Sequence, residues 1–304
     1  MMNEELKKQL RNRGICVIIP TYNNDTTIKT VVEKSLLYCD DVIVVTDGCT
    51  DRTTDILDAI DGITIVSYPQ NRGKGYALKM GFRKALEMGF SYAITLDGDG
   101  QHYPEDIPLF LKANQEYPQS LIIGSRQLEG VDRSKGSSFA NKFSNFWFYV
   151  QTGRALPDTQ TGYRLYPLHR LCGLSLLTSR YEAELELLVF ASWHGVKLIP
   201  IPVQVYYPPR NERVSHFRPG KDFARISVLN TVLCFLAVVY GLPLRLWRTL
   251  MTFLRTAYSL LFFLFFTLVV FTPFVWIYTK VGKMTERRRY RLHQLIYHAS
   301  RFVM

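Results

Sequence analysis

The sequence predicts an α/β domain, a mostly parallel sheet with helices on both faces, followed by C-terminal membrane-associated helices. Short, continuous apolar runs alternate with helix-like stretches in the first half of the chain, which is typical of parallel strands covered on both faces. Past residue 220 two long segments carry no charge. The expected organisation is an N-terminal extension (1–13), a main domain (14–220), membrane-associated segments (221–280) and a basic tail (281–304).

Five apolar runs are long enough for buried strands and too short for helices. They occupy residues 15–20, 41–46, 63–67, 92–96 and 121–124. Helix-like stretches follow the first three runs and end near residues 38, 60 and 88, and another helix begins near Tyr181. In parallel sheets built this way, ligands bind beyond the carboxyl ends of the strands.

Three polar clusters fall at those predicted strand ends, at residues 21–25, 47–51 and 97–101. In the third cluster, Asp97 and Asp99 are two residues apart and so share a face on an extended backbone. Gln101 follows two positions further on. Mg²⁺ or Mn²⁺ favours such oxygen ligands and completes its shell with water and phosphate oxygens. The pattern therefore predicts a divalent-metal site that binds a diphosphate.

Charge is distributed unevenly along the 304 residues. The net charge is +11, and residues 221–304 contribute +10 of it. The first part carries no basic run studded with aromatic residues, so nucleic acid is not an expected partner. The five cysteines are scattered without a CxxC pair, which argues against a disulfide framework or a zinc site. The charged N-terminus lacks an apolar signal core, so the first domain is expected in the cytoplasm.

The two uncharged segments are candidates for membrane association. Residues 256–279 would form a helix about 36 Å long, against a hydrocarbon core of about 30 Å. Residues 226–244 are ambiguous between a span and an interfacial helix. Two crossings would place Arg245 and its neighbouring arginines outside the cell, against the positive-inside rule. A re-entrant hairpin bent at Pro273, or helices lying in the membrane plane, are the alternatives.

Six motifs occur in order and at compatible spacing. They are IIPTYNN at 18–24, TDGCTDRT at 46–53, NRGKGYAL at 71–78, DGDGQHYPE at 97–105, GSR at 124–126 and DTQTGYRLY at 158–166. Over residues 13–210 the chain therefore resembles family 2 glycosyltransferases of the Rossmann-like GT-A fold, and most of all polyprenyl- or dolichyl-phosphate mannosyl- and glucosyltransferases. The resemblance implies a membrane-bound, inverting, metal-dependent enzyme that moves a hexose from a nucleotide sugar to polyprenyl phosphate at the cytoplasmic face.

Donor and metal residues are expected in the first four motifs. In the relatives the equivalents of Asp99 and Gln101 help to hold the Mg²⁺ or Mn²⁺ ion, and the metal set here is Asp97, Asp99 and Gln101. Asp47 is expected to accept a hydrogen bond from the base, although the family's usual Asp-Asp-Gly-Ser reads Thr46-Asp-Gly-Cys here. Arg72 and Lys74 lie in a Gly-rich loop that could approach phosphates. The donor-binding set is Pro20, Tyr22, Asn23, Asp47, Arg72, Lys74 and Asp97.

Arginines are the expected clamp for the acceptor, because a guanidinium fork matches phosphate oxygens. An acceptor phosphate is already ionised at neutral pH, whereas a hydroxyl acceptor would need a base, for which Asp158 is the first candidate. The acceptor-binding set is Arg126, Arg133, Thr161, Arg164 and Arg210. The catalytic set is Asp99, Arg126, Arg164 and Asp158.

Two other hypotheses stay open. The same chemistry on a hydroxyl or amine of another membrane lipid is kept open by the extended basic loop at residues 210–221. A non-catalytic membrane-bound scaffold that binds nucleotide sugars belongs to a different class. His102 is expected to be a hydrogen-bonded loop residue rather than a ligand, and Glu182, Glu184 and Glu186 cannot share one helical face. The sequence leaves the sugar, the base and homo-oligomerisation open.

Overall fold

The structure is a computed structural model that describes residues 2–126, 135–174, 176–206 and 219–280, with isolated residues between 287 and 298. The chain divides into two compact units, residues 1–243 and residues 244–304. All strands among the described residues belong to the first unit. That unit contains every candidate site residue that the structure describes.

Seven strands are described. They are β1 (Ile15–Thr21), β2 (Val42–Asp47), β3 (Ile63–Tyr68), β4 (Tyr92–Thr95), β5 (Leu121–Arg126), β6 (Arg164–Pro167) and β7 (Leu198–Val203). They form one sheet in the order β3-β2-β1-β4-β6-β5-β7. Strand β6 runs antiparallel to its neighbours β4 and β5, and the other pairs are parallel. The predicted mostly parallel sheet is confirmed.

The described helices connect these strands and continue past them. They are α1 (Met2–Asn12), α2 (Ile28–Tyr38), α3 (Thr53–Asp58), α4 (Lys74–Glu87), α5 (Ile107–Glu116), α6 (Lys135–Thr152), α7 (Leu168–Leu171), α8 (Glu182–Trp193), α9 (Pro219–Leu236), α10 (Leu242–Phe265) and α11 (Thr272–Lys280). A 3₁₀ turn at Pro104–Asp106 precedes α5, and π-helical turns lie at Ala237–Gly241 and Phe266–Phe271.

The central strands β1 and β2 are apolar up to their polar carboxyl ends because both of their faces are covered. Every residue of β1 and β2 is buried. On one face, Ile15, Val17 and Ile19 pack in a core with residues of α2 and α5. On the other face α4 comes close, since a Cβ on Gly81 would lie 2.7 Å from Cγ2 of Ile18. Full burial of each such Ile or Val side chain contributes about 1.5–3 kcal/mol.

The N-terminal extension forms the helix α1 and packs on the first unit. Its Leu10 is buried in the core. On its polar side, Nζ of Lys7 lies 2.9 Å from Oδ1 of Asp40, and Nη2 of Arg11 lies 2.7 Å from Oδ2 of the same residue. The charged sequence of this segment therefore gives an amphipathic helix.

A continuous helix of 53 residues runs from Ala224 to Trp276 and includes an 18-residue stretch of mean hydropathy 2.2. It is long and apolar enough to cross a membrane, and both segments singled out in the sequence lie largely within it. The helix continues through Pro273, so the hairpin considered there does not form. Proline lacks a backbone N–H, and the wider π-helical turn that ends at Phe271 precedes it.

Candidate active site

The three polar clusters lie at one edge of the sheet. Strands β1, β2 and β4 are adjacent and parallel, so their carboxyl ends at Thr21, Asp47 and Thr95 meet there. The turn after β4 packs on the turn after β1, because the hydroxyl of Thr27 donates to the carbonyl of Gly98 at 2.7 Å. The topology thus brings together the clusters that the sequence placed at separate strand ends.

Asp47 holds the Gly-rich loop at this edge. Its two carboxylate oxygens accept hydrogen bonds from the backbone amides of Arg72, at 2.7 Å, and Gly73, at 2.8 Å. The next residue, Gly48, has φ of 66°, and a Cβ there would lie 2.4 Å from the amide nitrogen of Asn71. Only glycine fits that position. Asp47 therefore fixes the conformation of the loop, in addition to any contact that it makes with a ligand.

The remaining predicted donor residues lie at the end of β1 and in the loop. Pro20 is buried and pairs in register with Val45, and Tyr22 is half-buried. Asn23 adopts φ of 51°, which asparagine tolerates. Its Oδ1 accepts from the backbone amide of Thr50 at 2.8 Å, and its Nδ2 donates to the hydroxyl of Thr50 at 3.1 Å. These bonds fasten the turn after β1 to the turn after β2.

Arg72 and Lys74 differ in their surroundings. The exposed Arg72 stacks on the ring of Tyr76, with Cζ 4.9 Å from the ring centroid, and donates to its hydroxyl at 3.1 Å. Lys74 is the first residue of α4 rather than part of an open loop. Its side chain reaches the turn after β4.

Lys74 bridges two acidic side chains from different elements. Its Nζ lies 2.6 Å from Oδ1 of Asp97 and 3.0 Å from Oε2 of Glu184. Burial alone would lower the pKa of Lys74, but the two carboxylates outweigh it and raise that pKa above its usual value. Burial alone would raise the pKa of Asp97, but the Lys74 ammonium lowers it. Lys74 and Asp97 therefore face each other as a charged pair.

Gly162 lies directly against this ion pair. A Cβ on Gly162 would lie 2.6 Å from Nζ of Lys74 and 2.8 Å from Oδ2 of Asp97. The carbonyl of Gly162 accepts a hydrogen bond of 2.6 Å from Oγ1 of Thr95, which holds the backbone in place. An added Cβ would therefore have to displace the side-chain ends of this ion pair.

We expect Gly162→Ala to destabilise the protein by about 1–3 kcal/mol, as overpacking of a filled site does. The added methyl group must push the Lys74 ammonium away from Asp97. Urea unfolding of the full chain measures the change. The control is Gly220→Ala, where a Cβ would meet nothing within 4 Å. Equal unfolding midpoints for the two variants would contradict the contact.

The turn after β4 carries the predicted metal ligands. Oδ1 of Asp99 accepts a hydrogen bond of 3.0 Å from the amide of Gln101. Burial, together with the neighbouring charge of Asp97, raises the pKa of Asp99 to about 6. The backbone amide of Asp97 donates to Nδ1 of His102 at 3.2 Å, and burial lowers the pKa of His102 to about 4. His102 is thus a neutral residue that supports the turn, as expected.

This donor set fits a hard divalent cation. Such ions take one or two carboxylates and fill the rest of their shell with water and phosphate oxygens. The half-buried carboxylate of Asp99 beside the charge of Asp97 is a place where a cation relieves repulsion. Among the described residues, no group of three or more His, Cys, Asp or Glu side chains is arranged to hold a metal ion. Few protein groups would therefore bind the ion. Asp99 would be the main ligand, and Gln101 and Asp97 would lie next to it.

Arg126 and Asp158 form a second ion pair at the same edge. Strands β4 and β5 both run antiparallel to β6 and are therefore parallel to each other, so Arg126, the last residue of β5, lies at the edge that carries Asp97. Nε of Arg126 lies 2.6 Å from Oδ2 of the buried Asp158, and Nη2 lies 2.9 Å from Oδ1. This bidentate geometry fixes the plane of the guanidinium group.

Arg164 lies in the interior, beneath the loop that carries Asp158. It begins β6, a central strand, and is fully buried. Its Nη1 donates to the carbonyl of Glu184 and its Nη2 to the carbonyl of Thr159, both at 2.9 Å. Thr161 is buried as well. The structure therefore places Arg164 and Thr161 behind the edge of the site, while Arg126 stands at it.

Arg133 and Arg210 lie outside the described residues, as does nearly all of the basic loop between 210 and 221. Residues 205 and 206, the last ones described before this loop, contact the turn after β4. The amide of Tyr206 donates to the carbonyl of Gln101 at 2.9 Å, and Val205 forms a bridge with His102.

Glu184 and Gly162 were not assigned to the site from the sequence. The three glutamates of α8 do separate as expected, since Glu184 pairs with Lys74 whereas Glu186 accepts hydrogen bonds from Thr178. All three are buried. Acidic residues within an otherwise apolar helix were the available signal, but the linear sequence does not say which cation they meet.

Comparison with known proteins agrees with the fold and the motifs. Residues 16–166 match the family model described as Glycosyl transferase family 2. The chain is 30% identical over 204 residues to a polyprenol monophosphomannose synthase of Mycolicibacterium smegmatis, covering 62% of this chain and 75% of that one. It is 29% identical over 221 residues to a UDP-N-acetylglucosamine–dolichyl-phosphate N-acetylglucosaminyltransferase of Methanococcus voltae, covering 65% and 88% of the two chains.

A solved structure is similar as well. Glucosyl-3-phosphoglycerate synthase from Mycobacterium tuberculosis, in complex with Mn²⁺, uridine diphosphate and phosphoglyceric acid, superposes with a TM-score of 0.58. The match has 19% sequence identity and covers 77% of this chain and 82% of that one. At this identity the likeness concerns the fold, and the predicted GT-A fold is confirmed.

Proposed function

Because the chain belongs to glycosyl transferase family 2 and is a glycosyltransferase, we propose that it moves a hexose from a nucleotide sugar to polyprenyl phosphate. The observation that carries the proposal is that two ion pairs lie at one sheet edge, Lys74–Asp97 at the end of β4 and Arg126–Asp158 at the end of β5. The first pair suits a diphosphate with its cation, and the second suits a phosphate acceptor. Relatives named for transfer to dolichyl phosphate and for polyprenol monophosphomannose synthesis support the lipid phosphate.

The donor would lie along the ends of β1, β2 and β4. Asp47 would accept from the base at the loop it holds, with Pro20, Tyr22 and Asn23 beside it and Arg72 over the phosphates. Asp99 and Gln101, with Asp97 behind them, would hold Mg²⁺ or Mn²⁺. When bound, such an ion neutralises the charge of the leaving diphosphate as a Lewis acid. Lys74 would keep the carboxylate of Asp97 charged and hold it in position.

The acceptor side would be organised by Arg126. Its bidentate bond to Asp158 leaves the guanidinium pre-oriented, so that little rotamer entropy is lost when a phosphate arrives. Arg164 would not contact the acceptor. It would support the site by its hydrogen bond to the carbonyl of Thr159, the neighbour of Asp158. Arg133, Thr161 and Arg210 stay candidates for this side of the site.

The reaction forms one bond and breaks one. An oxygen of the acceptor phosphate attacks the anomeric carbon on the face opposite the diphosphate, and the bond to the diphosphate oxygen breaks with its electron pair leaving on that oxygen. Attack and departure on opposite faces invert the configuration. The acceptor is already ionised, so no protein base removes a proton. The protein contributes positioning and electrostatic stabilisation.

The variant Asp158→Asn distinguishes two roles for Asp158, which either positions Arg126 or acts as a general base. If Asp158 orients Arg126, we expect kcat/KM for the lipid phosphate to fall about 10–100-fold, the equivalent of a lost hydrogen bond to a charged group. The effect should lie mainly in the KM of the acceptor, with an unchanged pH profile. A large loss of kcat, together with loss of the alkaline plateau of the profile, would instead assign Asp158 as a base for a hydroxyl acceptor.

The proposal is tested by incubating the purified full chain with labelled nucleotide sugars and either polyprenyl phosphate or total membrane lipids. A product that mild acid cleaves, formed with polyprenyl phosphate and Mg²⁺ or Mn²⁺, is expected. An acid-stable glycolipid would move the activity to a hydroxyl or amine acceptor. The absence of product with every donor would favour a scaffold that binds nucleotide sugars without catalysis.

We place the enzyme at the cytoplasmic membrane with the first unit facing the cytoplasm. The apolar helix between Ala224 and Trp276 supports membrane association. Arg245, Arg248 and Arg255, which precede the apolar stretch at 256–276, support the cytoplasmic side for the first unit.

A further inference from the structure

We propose that α6 and α9 together form a membrane-docking face of the first unit, which rests on a bilayer surface in addition to the anchorage given by the apolar helix. The inference rests on the proposed function, because it places the acceptor side of that site at the lipid surface. We call this surface the α6–α9 face. Its exposed side chains are Phe146, Tyr149, Val150, Val228, Val232, Phe235, Val238 and Val239.

The outward side of α6 is aromatic and aliphatic where a surface helix normally carries charge. Phe146 is 57% exposed, and Tyr149 and Val150 are comparably exposed. The ring of Trp147 lies 5.4 Å from that of Phe146. Residues 135–152 contain two lysines and no acidic residue. An apolar patch of this kind marks an interaction site rather than a solvated face.

The helix α9 is fastened to α6 and α8 by its inward side. Nε2 of Gln151 donates to Oδ1 of Asn230 at 2.9 Å, and Nε1 of Trp193 donates to the carbonyl of Gln151 at 2.9 Å. Leu229 and Leu233 are buried beside this pair. A buried amide pair tolerates few alternative geometries, so it fixes the register of α9 on the first unit.

The π-helical turn after α9 is fastened in the same way. A Cβ on Gly241 would lie 2.7 Å from the ring of Trp193, and the hydroxyl of Tyr240 lies 3.1 Å from Nε2 of His194. This segment is thus docked on protein along one side. Its other side remains apolar and exposed, with Val238 at 66%.

Chain length favours a bilayer surface as the occupant. The helix has 53 residues, whereas about 20 residues are enough to cross a hydrocarbon core of about 30 Å. The apolar stretch between 256 and 276 is enough for a crossing, so residues 226–241 are not required in one. Only residues 242–255 separate the α6–α9 face from that stretch along the chain, so this short connection keeps the face within reach of the membrane. Basic Lys142 and Arg225 on the two helices suit anionic headgroups.

The inward side of α6 links this face to the acceptor side of the site. Oδ1 of Asn145 accepts hydrogen bonds from the amide of Thr159, at 3.0 Å, and from its hydroxyl, at 2.8 Å. Oγ of Ser144 lies 2.7 Å from the same hydroxyl. Thr159 adjoins Asp158, the partner of Arg126. A bilayer contact by α6 would therefore hold the Arg126–Asp158 pair at the level of lipid phosphates.

The test uses the full chain with Cys172→Ser and a fluorescent probe on Phe146→Cys, bound to vesicles of phosphatidylcholine and phosphatidylglycerol. An interfacial helix buries its apolar face about 5–10 Å deep, so brominated lipids should quench this probe about twofold or more. Val150→Cys is a second reporter if the first variant fails to fold. The control is Leu37→Cys on α2, an exposed apolar position at 55%, where no quenching is expected.

Equal, weak quenching at positions 146, 150 and 37 would overturn the proposal. So would shielding of the 146 probe that depends on protein concentration in detergent without lipid, because a second copy of the chain would then be the occupant. The measurement needs no sugar donor. Failure of the docking face is thus distinguishable from failure of the proposed transferase activity.

Discussion

Asp99→Asn is expected to lower kcat/KM for sugar transfer about a thousandfold, or ~4 kcal/mol of transition-state stabilisation, with the fold retained. The amide has the volume of the carboxylate and can still accept the hydrogen bond from Gln101, which is 3.0 Å long. It lacks the negative charge that holds a divalent cation beside the diphosphate. Initial rates over a range of Mn²⁺ concentrations should show both lower turnover and a weaker response to the metal.

The matched control for this variant is Asp61→Asn, at an exposed turn before β3. It removes one carboxylate from the same unit without touching the sheet edge that carries the site, and we expect rates within twofold (~0.4 kcal/mol) of the native chain. Unchanged turnover of Asp99→Asn relative to this control would remove the metal assignment.

Lys74→Met is expected to destabilise the protein by about 1–3 kcal/mol, because it removes the cation from an ion-pair cluster whose side chains are only 9–25% exposed. Methionine preserves the packing of the side-chain stem but leaves Asp97 and Glu184 as neighbouring carboxylates without their cation. Urea unfolding at neutral pH gives the free energy. Adding Glu184→Gln to Lys74→Met should recover about 0.5–3 kcal/mol, because the two residues are in direct contact.

The control for Lys74→Met is Lys29→Met on α2, where an exposed lysine lies 3.9 Å from Glu33. Exposed pairs of this kind contribute about 0–1 kcal/mol. A Lys74→Met variant no less stable than Lys29→Met would show that the bridge to Asp97 and Glu184 does not support the fold.

The strands that end at the site could be predicted because burial on both faces leaves a continuous apolar run. The predicted strands at 15–20 and 41–46 correspond to β1 and β2, whose bounds differ by about one residue. The polar residues that follow them lie at one edge of the sheet. Parallel topology follows from the alternation with helices, so the convergence of Asp47 with Asp97 and Asp99 needed no tertiary information.

Strand β6 could not be predicted in the same way. It is four residues long, begins with a charged residue and contains no apolar run, yet it is inserted antiparallel between β4 and β5. The guanidinium of Arg164 is buried by this insertion. The preference of arginine for phosphate predicts Arg164 in an acceptor clamp, whereas the position of a residue in a sheet is set by partners far along the chain.

Lys74 shows the same limit. A Gly-rich loop suggested a lysine close to phosphates, but its partners Asp97 and Glu184 come from the turn after β4 and from α8. Which acidic residue meets which cation depends on how helices pack on the sheet, and spacing along the chain does not encode it. The roles of Arg133 and Arg210 stay predictions.

The central claim is that a diphosphate and its cation bind at the turn that carries Asp97, Asp99 and Gln101. The most direct measurement is a crystal structure or cryo-EM map of the full chain with a nucleotide sugar and Mn²⁺, with anomalous scattering used to locate the metal in crystals. We expect the ion in coordination with a carboxylate oxygen of Asp99 and with the diphosphate. A metal and diphosphate bound elsewhere on the protein would contradict the account.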